Sequence, residues 1–238
     1  MYLLFSRMLV FLMLVGFSTC GLITAEEDRV ENETPSQPPE GFPCGVLSEL
    51  ASPVPGSLLR DAEGNYRYYK NRSFYFDGIH LGVDLNVPEG TPVFAGVHGE
   101  VQYAGPASGY GNLVVVVETY TDVPKTWTNG LGELQERQQV LFLFGHLRPT
   151  KLFGGEGQRI QLDAGDCVTP STVIGYIERD SHNGDGAEHV HYAVRLQSWE
   201  EAQKMRVTSG HSDIAGYDRD GTLVAYYGNP EQVLDQLP

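Results

Sequence analysis

Three short motifs in the sequence contain side chains that could bind a metal ion or act beside one. His80 and Asp84 are four residues apart in His-Leu-Gly-Val-Asp. Residues i and i+4 of a strand face the same side, so this imidazole and this carboxylate are predicted to project together. His189 and His191 flank a single valine, again on one face of a strand. His146 follows an apolar run. Imidazole nitrogens and carboxylate oxygens are ordinary zinc ligands.

Each motif taken singly also has a simpler interpretation. A His-x-x-x-Asp or a His-x-His arises often by chance, and a histidine that closes a strand is commonly just a polar strand end. The combination in one chain indicates more. Three ligands on two strands would make a tetrahedral zinc site with one position open, which is the catalytic rather than the structural arrangement. Two further histidines nearby could then transfer protons.

The segments that must position these side chains have the pattern of short strands separated by turns that contain glycine or proline. We therefore predict a mainly β domain, an antiparallel sandwich or barrel with long loops and one or two short helices. Thr119–Gln139 is polar and contains glycine, which predicts a long loop, whereas Trp199–Arg206 and Pro230–Leu237 each predict a short helix. The predicted strands are Val93–Val97, Gly99–Tyr103, Leu113–Val117, Val140–Phe144, Val173–Ile177 and His189–Val194.

The first 25 residues have the pattern of a signal peptide. Arg7 precedes the apolar stretch Met8–Phe17, which is shorter than the ~20 residues that span a bilayer, and Ala25 offers a cleavage site. Two alternatives stay open: a lipid anchor on Cys20, or an uncleaved N-terminal anchor. All three place the rest of the chain outside the cytoplasm. We expect export to the periplasm or cell envelope, or secretion, with membrane attachment only through Cys20 or an uncleaved signal.

Residues 26–43 are acidic and rich in proline, which predicts a spacer between the signal peptide and a domain over residues 44–238. Cys44 and Cys167 then form an even pair of thiols. In an oxidising compartment the two cysteines are candidates for a disulfide that clips the start of the domain to a distant strand region. Two buried, reduced cysteines are the alternative.

Composition narrows the function classes. The chain has 238 residues, 41% of them hydrophobic, which excludes a largely disordered protein. Its formal net charge of −15 argues against nucleic acid or an anionic membrane as a partner bound through bulk charge, because such binding depends on Lys and Arg.

The motifs are specific as an ordered set. Over approximately residues 76–194 the sequence resembles the lysostaphin-type (LytM-like) zinc metallopeptidases, many of which cut peptide bonds in bacterial cell-wall peptidoglycan. The matching motifs, in family order, are His80–Asp84, Gly90–Ala95, Gly99–Val101, Gly109–Asn112, Gly145–Leu147, Gly165–Asp166, Ile174–Gly175 and His189–His191.

The resemblance implies roles for individual residues. The zinc ligands of the family, which bind one zinc per chain, fall on His80, Asp84 and His191. Its two active-site histidines that are not ligands fall on His146 and His189. A zinc ion held in this way would activate water for attack on the carbonyl of a peptidoglycan cross-link or another envelope peptide.

The glycines of Gly109–Asn112 predict a tight turn with positive φ values at the rim of a substrate groove. Tyr110 and Asn112 are therefore candidate substrate-binding residues, although Tyr110 can equally be a packing aromatic.

The sequence also departs from the family pattern. Tyr192-Ala193 replaces the usual Phe-Glu, residues 178–188 form an acidic segment instead of a Gly/Ser-rich one, and the insertion between Glu118 and Val140 is long. These departures are expected around the substrate groove rather than at the metal ligands, so they affect the choice of substrate more than zinc binding. A catalytically silent regulator or scaffold of another cell-wall hydrolase is the alternative function. A sugar-phosphotransfer carrier is disfavoured, because its phosphodonors are cytoplasmic whereas the N-terminal segment predicts export of this chain.

Overall fold

The computed structural model describes residues 43–48, 50–59, 62–63, 68–69, 79–184, 186–210, 212–229, 232–233 and 235. These residues belong to one unit within Ser36–Pro238. The predicted signal peptide, Cys20 and all but the last residue of the predicted spacer lie outside the described residues, as does most of the predicted helix Pro230–Leu237. No helix among the described residues is long and apolar enough to cross a bilayer.

The described part of the chain is mainly β, as predicted. Its helical elements are α1 (Gly56–Leu59), α2 (Trp199–Ser209) and a 3₁₀ turn (Val224–Tyr226). The strands are β1 (Tyr68–Tyr69), β2 (Ile79–His80), β3 (Val83–Asn86), β4 (Pro92–Phe94), β5 (Gly99–Ala107), β6 (Gly111–Thr128), β7 (Leu134–Arg148), β8 (Cys167–Val168), β9 (Val173–Ile177), β10 (His189–Arg195) and β11 (Tyr217–Asp218).

The main sheet is antiparallel and has the order β1-β3-β10-β7-β6-β5-β8, with β9 joining β7 to β4. Strands β2 and β11 form a separate two-stranded sheet. Alternate residues of β6 and β7 enter two different apolar clusters: Val115 and Phe142 belong to one, whereas Val116 and Leu143 belong to the other. The centre of the sheet is therefore buried on both faces, which explains the continuous apolar runs in these strands.

The prediction of a loop over Thr119–Gln139 is wrong. Strands β6 and β7 continue through most of this segment as one long antiparallel hairpin, with Tyr120 opposite Gln139 and Thr128 opposite Leu134. The outer part of β7 alternates between exposed and half-buried residues, and after Leu134 its side chains are polar on both faces. A strand without a buried face lacks the apolar alternation that identifies strands in a sequence.

Helix α2 confirms the predicted helix at Trp199 but ends three residues later, at Ser209. Ser198 and Glu201 form a reciprocal capping box at its start, and Gly210 ends it in the left-handed conformation. Cys44 and Cys167 are joined by a disulfide that closes 123 residues of chain and ties the segment before α1 to β8.

Candidate metal centre and its flanking histidines

Strand register brings the metal-ligand candidates together. His191 lies between Asp84 of β3 and Gly145 of β7, each its direct partner across the sheet. His80 reaches the same place from β2, which pairs with Tyr217 of β11. The expectation that His80 and Asp84 share a strand is wrong, because residues 81–82 separate two strands of different sheets. Three strands, rather than the expected two, supply the candidate ligands.

The donor atoms of His80, Asp84 and His191 lie within 4.8 Å of one another. His80 Nε2 is 2.9 Å from His191 Nδ1, and Asp84 Oδ1 is 3.4 Å from His80 Nε2 and 3.3 Å from His191 Nδ1. The side chains of Asp84 and His191 are 1% exposed. Two imidazole nitrogens and one carboxylate oxygen converging in a buried place are a donor set that suits a divalent transition metal ion.

Two glycines make this convergence sterically feasible. A Cβ on Gly82 would lie 2.9 Å from the His191 ring and 2.7 Å from the Tyr192 carbonyl oxygen. A Cβ on Gly145 would overlap the ring of Tyr110. The glycine between His80 and Asp84 and the glycine before His146 therefore admit rings that no larger residue would allow.

The protonation states of the ligands favour a metal ion. Burial raises the pKa of Asp84, but hydrogen bonds from His191 and His80 outweigh it and hold this pKa well below its usual range. Burial lowers the pKa of His191 to about 4, because desolvation disfavours the cation. An ionised carboxylate and a neutral imidazole are the forms that bind metals.

His146 and His189 flank the three donors, with ring centroids 4.3 Å apart. His146 Nδ1 donates to the Asn183 carbonyl oxygen at 2.7 Å, and His189 Nδ1 donates to the Ala187 carbonyl oxygen at 2.7 Å. Because a carbonyl oxygen only accepts, both rings carry a proton on Nδ1. His189 directs Nε2 toward Asp84 Oδ1, at 3.5 Å. An imidazole that is neutral and carries its proton on Nδ1 has its lone pair on Nε2.

His146 has two unusual properties. Its φ of 63° places it in the left-handed region, which costs about 1–2 kcal/mol for a residue with a Cβ. Its side chain is buried, and desolvation together with the charge of His189 holds its pKa well below the ordinary value of a histidine. His146 is therefore neutral near pH 7 and able to accept a proton.

The candidate substrate residues take different positions. Gly109 and Gly111 both have positive φ, as the turn requires. Tyr110 is buried beneath the site, with its ring centroid 5.2 Å from that of His146 and 5.3 Å from that of His191, which is the position of a packing aromatic. Asn112 is exposed, and its amide donates to Glu178 Oε2 at 2.8 Å.

Sequence reasoning missed two residues of the site, Tyr217 and Asn183. The Tyr217 ring lies 4.9 Å from that of His80. Asn183 accepts from His146 and donates its side-chain amide to the Ala187 carbonyl oxygen that holds His189. One residue of the segment 178–188 thereby links both flanking histidines. The sequence marked the segment 178–188 only because it is acidic where the family is usually rich in Gly and Ser, and nothing in the sequence identified Asn183.

Residues 78–140 match the model of peptidase family M23. The match includes His80 and Asp84, whereas the three other site histidines lie outside the matched segment. It confirms the resemblance that the ordered motifs indicated. No curated protein matches the chain.

Solved structures of M23-type proteins resemble the chain at low identity. The catalytic domain of lysostaphin from Staphylococcus simulans is 17% identical, with a TM-score of 0.39, over 79% of this chain and 90% of that one. The catalytic domain of the prophage-encoded M23 protein EnpA from Enterococcus faecalis is 20% identical, with a TM-score of 0.40, over 63% of this chain and 88% of that one. The solution structure of lysostaphin is 21% identical, with a TM-score of 0.36, over 56% of this chain and 43% of that one. The chain thus spans less than half of that lysostaphin structure.

Proposed function

We propose that this chain is a zinc-dependent endopeptidase that hydrolyses peptide bonds in peptidoglycan cross-links or another cell-envelope peptide. The observation that carries the proposal is the convergence of His80 Nε2, Asp84 Oδ1 and His191 Nδ1 beside two histidines that are not ligands. The M23 match over residues 78–140 supports peptide hydrolysis as the chemistry.

Zinc is the proposed ion because nitrogen and oxygen donors in a set of three leave one coordination position for a reactant. When bound, it would supply an activated water and polarisation of the scissile carbonyl. Asp84 and His191 are rigid ligands, since each is buried and fixed by strand pairing.

The flanking histidines would move protons. His146 is neutral and presents the Nε2 lone pair, so it suits the role of general base that takes a proton from the attacking water. We assign to His189, whose Nε2 lies 3.5 Å from Asp84 Oδ1, stabilisation of the oxyanion and protonation of the leaving amine.

The direct test uses the full chain and two variants. We expect one zinc per chain by elemental analysis, and new amino termini when purified peptidoglycan is added. Asp84→Ala is expected to lose both, whereas His146→Ala should keep zinc and lose hydrolysis. Stoichiometric zinc without hydrolysis of peptidoglycan or envelope peptides in wild type would contradict the proposal and favour the regulator or scaffold instead.

Export to the periplasm, envelope or outside, through the N-terminal segment, is part of the proposal. It rests on the pattern of residues 1–25 and agrees with the Cys44–Cys167 disulfide, because disulfides persist in oxidising compartments. Mass spectrometry of the mature N-terminus in an expressing bacterium would distinguish cleavage after Ala25 from lipidation at Cys20.

A further inference from the structure

A buried cluster of charges lies next to His146 and takes no part in the candidate metal centre. Arg148 is 5% exposed and Glu178 is 2% exposed. Arg148 Nη1 lies 3.2 Å from Glu178 Oε1 and 2.6 Å from Glu89 Oε1. The other guanidinium nitrogens donate to backbone carbonyls, Nε to Thr150 at 2.9 Å and Nη2 to Lys151 at 2.7 Å. This charge cluster (Glu89, Arg148 and Glu178) joins three separate segments of the chain.

Glu178 is the member that connects the cluster to the segment behind His146. Its Oε1 also accepts from its neighbour, the Arg179 amide, at 2.9 Å, and its Oε2 accepts from the Asn112 side chain at 2.8 Å. The Glu178 amide donates to the His146 carbonyl oxygen at 3.1 Å. Both the side chain and the backbone of Glu178 are thereby fixed.

A ring of hydrogen bonds then leads back to the His146 imidazole. The Arg179 carbonyl oxygen accepts from the Asn183 amide at 3.0 Å, and the Asn183 carbonyl oxygen accepts from His146 Nδ1 at 2.7 Å. The backbone of His146 is thus held by Glu178, and its ring is held by Asn183, five residues later on the same segment. The segment sets both the left-handed backbone of His146 and the nitrogen that carries its proton.

Fold stability alone is a weak reason for such a cluster. Replacing a buried ion pair by apolar residues of similar volume is often neutral or stabilising. A strained, left-handed histidine persists only where its surroundings over-determine it. The hydrogen bond from Arg148 also lowers the pKa of Glu89 below its usual value.

We infer that Arg148 and Glu178 are positioning residues, which hold the His146 ring beside the metal centre in one tautomer, with its proton on Nδ1. The inference rests on the proposed function for its catalytic consequence, but the state of the His146 ring can be measured without turnover. Loss of either residue would let residues 178–183 shift, so that Nδ1 loses its fixed acceptor.

The test uses Arg148→Met, Glu178→Gln and the conservative Arg148→Lys in the full-length protein. Glu178→Gln keeps the shape of the side chain and serves if Arg148→Met does not fold. Arg206→Met is the matched control, because it breaks an ion pair between Asp213 and an exposed arginine of α2, neither of which belongs to the segment. Long-range ¹H–¹⁵N spectra of the imidazoles, with His146→Ala for assignment, report the tautomer in the metal-free protein.

We expect wild type and Arg206→Met to give the Nδ1–H pattern alone for His146. Arg148→Met and Glu178→Gln should give a mixture of both tautomers while retaining one zinc per chain. Their kcat should fall about 10–100-fold, as for other residues that orient a reacting group, with KM changed less than threefold and partial rescue by Arg148→Lys.

An unchanged Nδ1–H pattern in both variants would overturn the inference, as would a fall in kcat that only follows loss of zinc. If the wild type hydrolyses none of the peptides tested, the proposed function fails, but the tautomer spectra still decide whether the cluster positions His146.

Discussion

The two ends of strand β7 share the same backbone pairing with β6 but differ in the burial of their side chains and in the polar groups around them. From Leu134 to Gln139 the strand alternates between exposed and half-buried residues, whereas every residue from Val140 to Arg148 is buried. The inner end lies beside Asp84 and the site histidines; at the outer end, the main buried polar side chain is Asn129 in the turn. Strand pairing alone is therefore not sufficient to form a functional site. The inner end is also buried, and a low dielectric strengthens each polar contact there.

The largest effect should come from removing a ligand at the inner end. Loss of a residue that only supports a ligand lowers metal affinity about 10–100-fold. We expect His191→Ala, which removes a ligand, to lower metal affinity by more than this and to abolish hydrolysis. His182→Ala, which removes an exposed histidine outside the ligand group, should keep one metal per chain. Metal content after dialysis measures both, and a His191→Ala protein with full metal would contradict the assignment.

Glycine substitutions compare the two ends by sterics. Gly145→Ala places a Cβ against the Tyr110 ring and should cost about 3 kcal/mol in the free energy of unfolding. Gly132→Ala at the outer turn meets no atom within 4 Å, but its φ of 83° should cost about 1 kcal/mol. Urea denaturation gives both values, and equal costs would remove the steric distinction between the two ends.

The inner end should also make the metal-free protein sensitive to acid. The pKa of His191 is about 4 in the folded protein and about 6.5 when unfolded, so between these values the unfolded chain binds more protons. Stability should therefore rise by about 3 kcal/mol from pH 4 to pH 6.5. Below pH 4, protonation of Asp84 removes more stability. Urea denaturation in chelator across this range is the measurement.

His191→Gln is the control for this pH effect and should flatten part of the slope. A wild-type protein of constant stability from pH 4 to pH 6.5 would show that His191 is not buried in neutral form.

At the outer end, Asn129→Ala should cost about 2 kcal/mol in stability. The Asn129 Oδ1 accepts from the amides of Leu131 and Glu133, and its Nδ2 donates to the Ala225 carbonyl oxygen, all without solvent access to Asn129. Metal content and kcat should stay at wild-type values, since the turn is at the far end of β7. A fall in kcat at full metal content would show that the two ends are coupled.

The smallest effect should come from Leu134→Ser. Leu134 is 74% exposed on the outer strand, so little apolar area returns to water and the change in stability should stay within about 0.5 kcal/mol. A larger loss by urea denaturation would indicate that this end of the hairpin is covered in solution.

Sequence reasoning succeeded where burial imposes a local pattern. The apolar runs Leu113–Val117 and Val140–Phe144 mark strands that the structure contains, because both faces of the central sheet are covered. It failed over Thr119–Gln139, where the β7 half of the hairpin pairs by backbone hydrogen bonds while its side chains are exposed or half-buried, and where few of the buried residues of the β6 half are apolar. Backbone pairing leaves no mark in side-chain type.

What the sequence determined by itself is the set of donors: their identities and the strand propensity of the segments that carry them are local properties. Four features depend on tertiary contacts instead: the register that puts His191 opposite Asp84, the third strand for His80, the left-handed His146 and the cluster of Arg148 and Glu178. His80 and His191 are 111 residues apart. Contacts at such separations depend on how strands pair and how loops close over them, and neither is encoded in the spacing of a short motif.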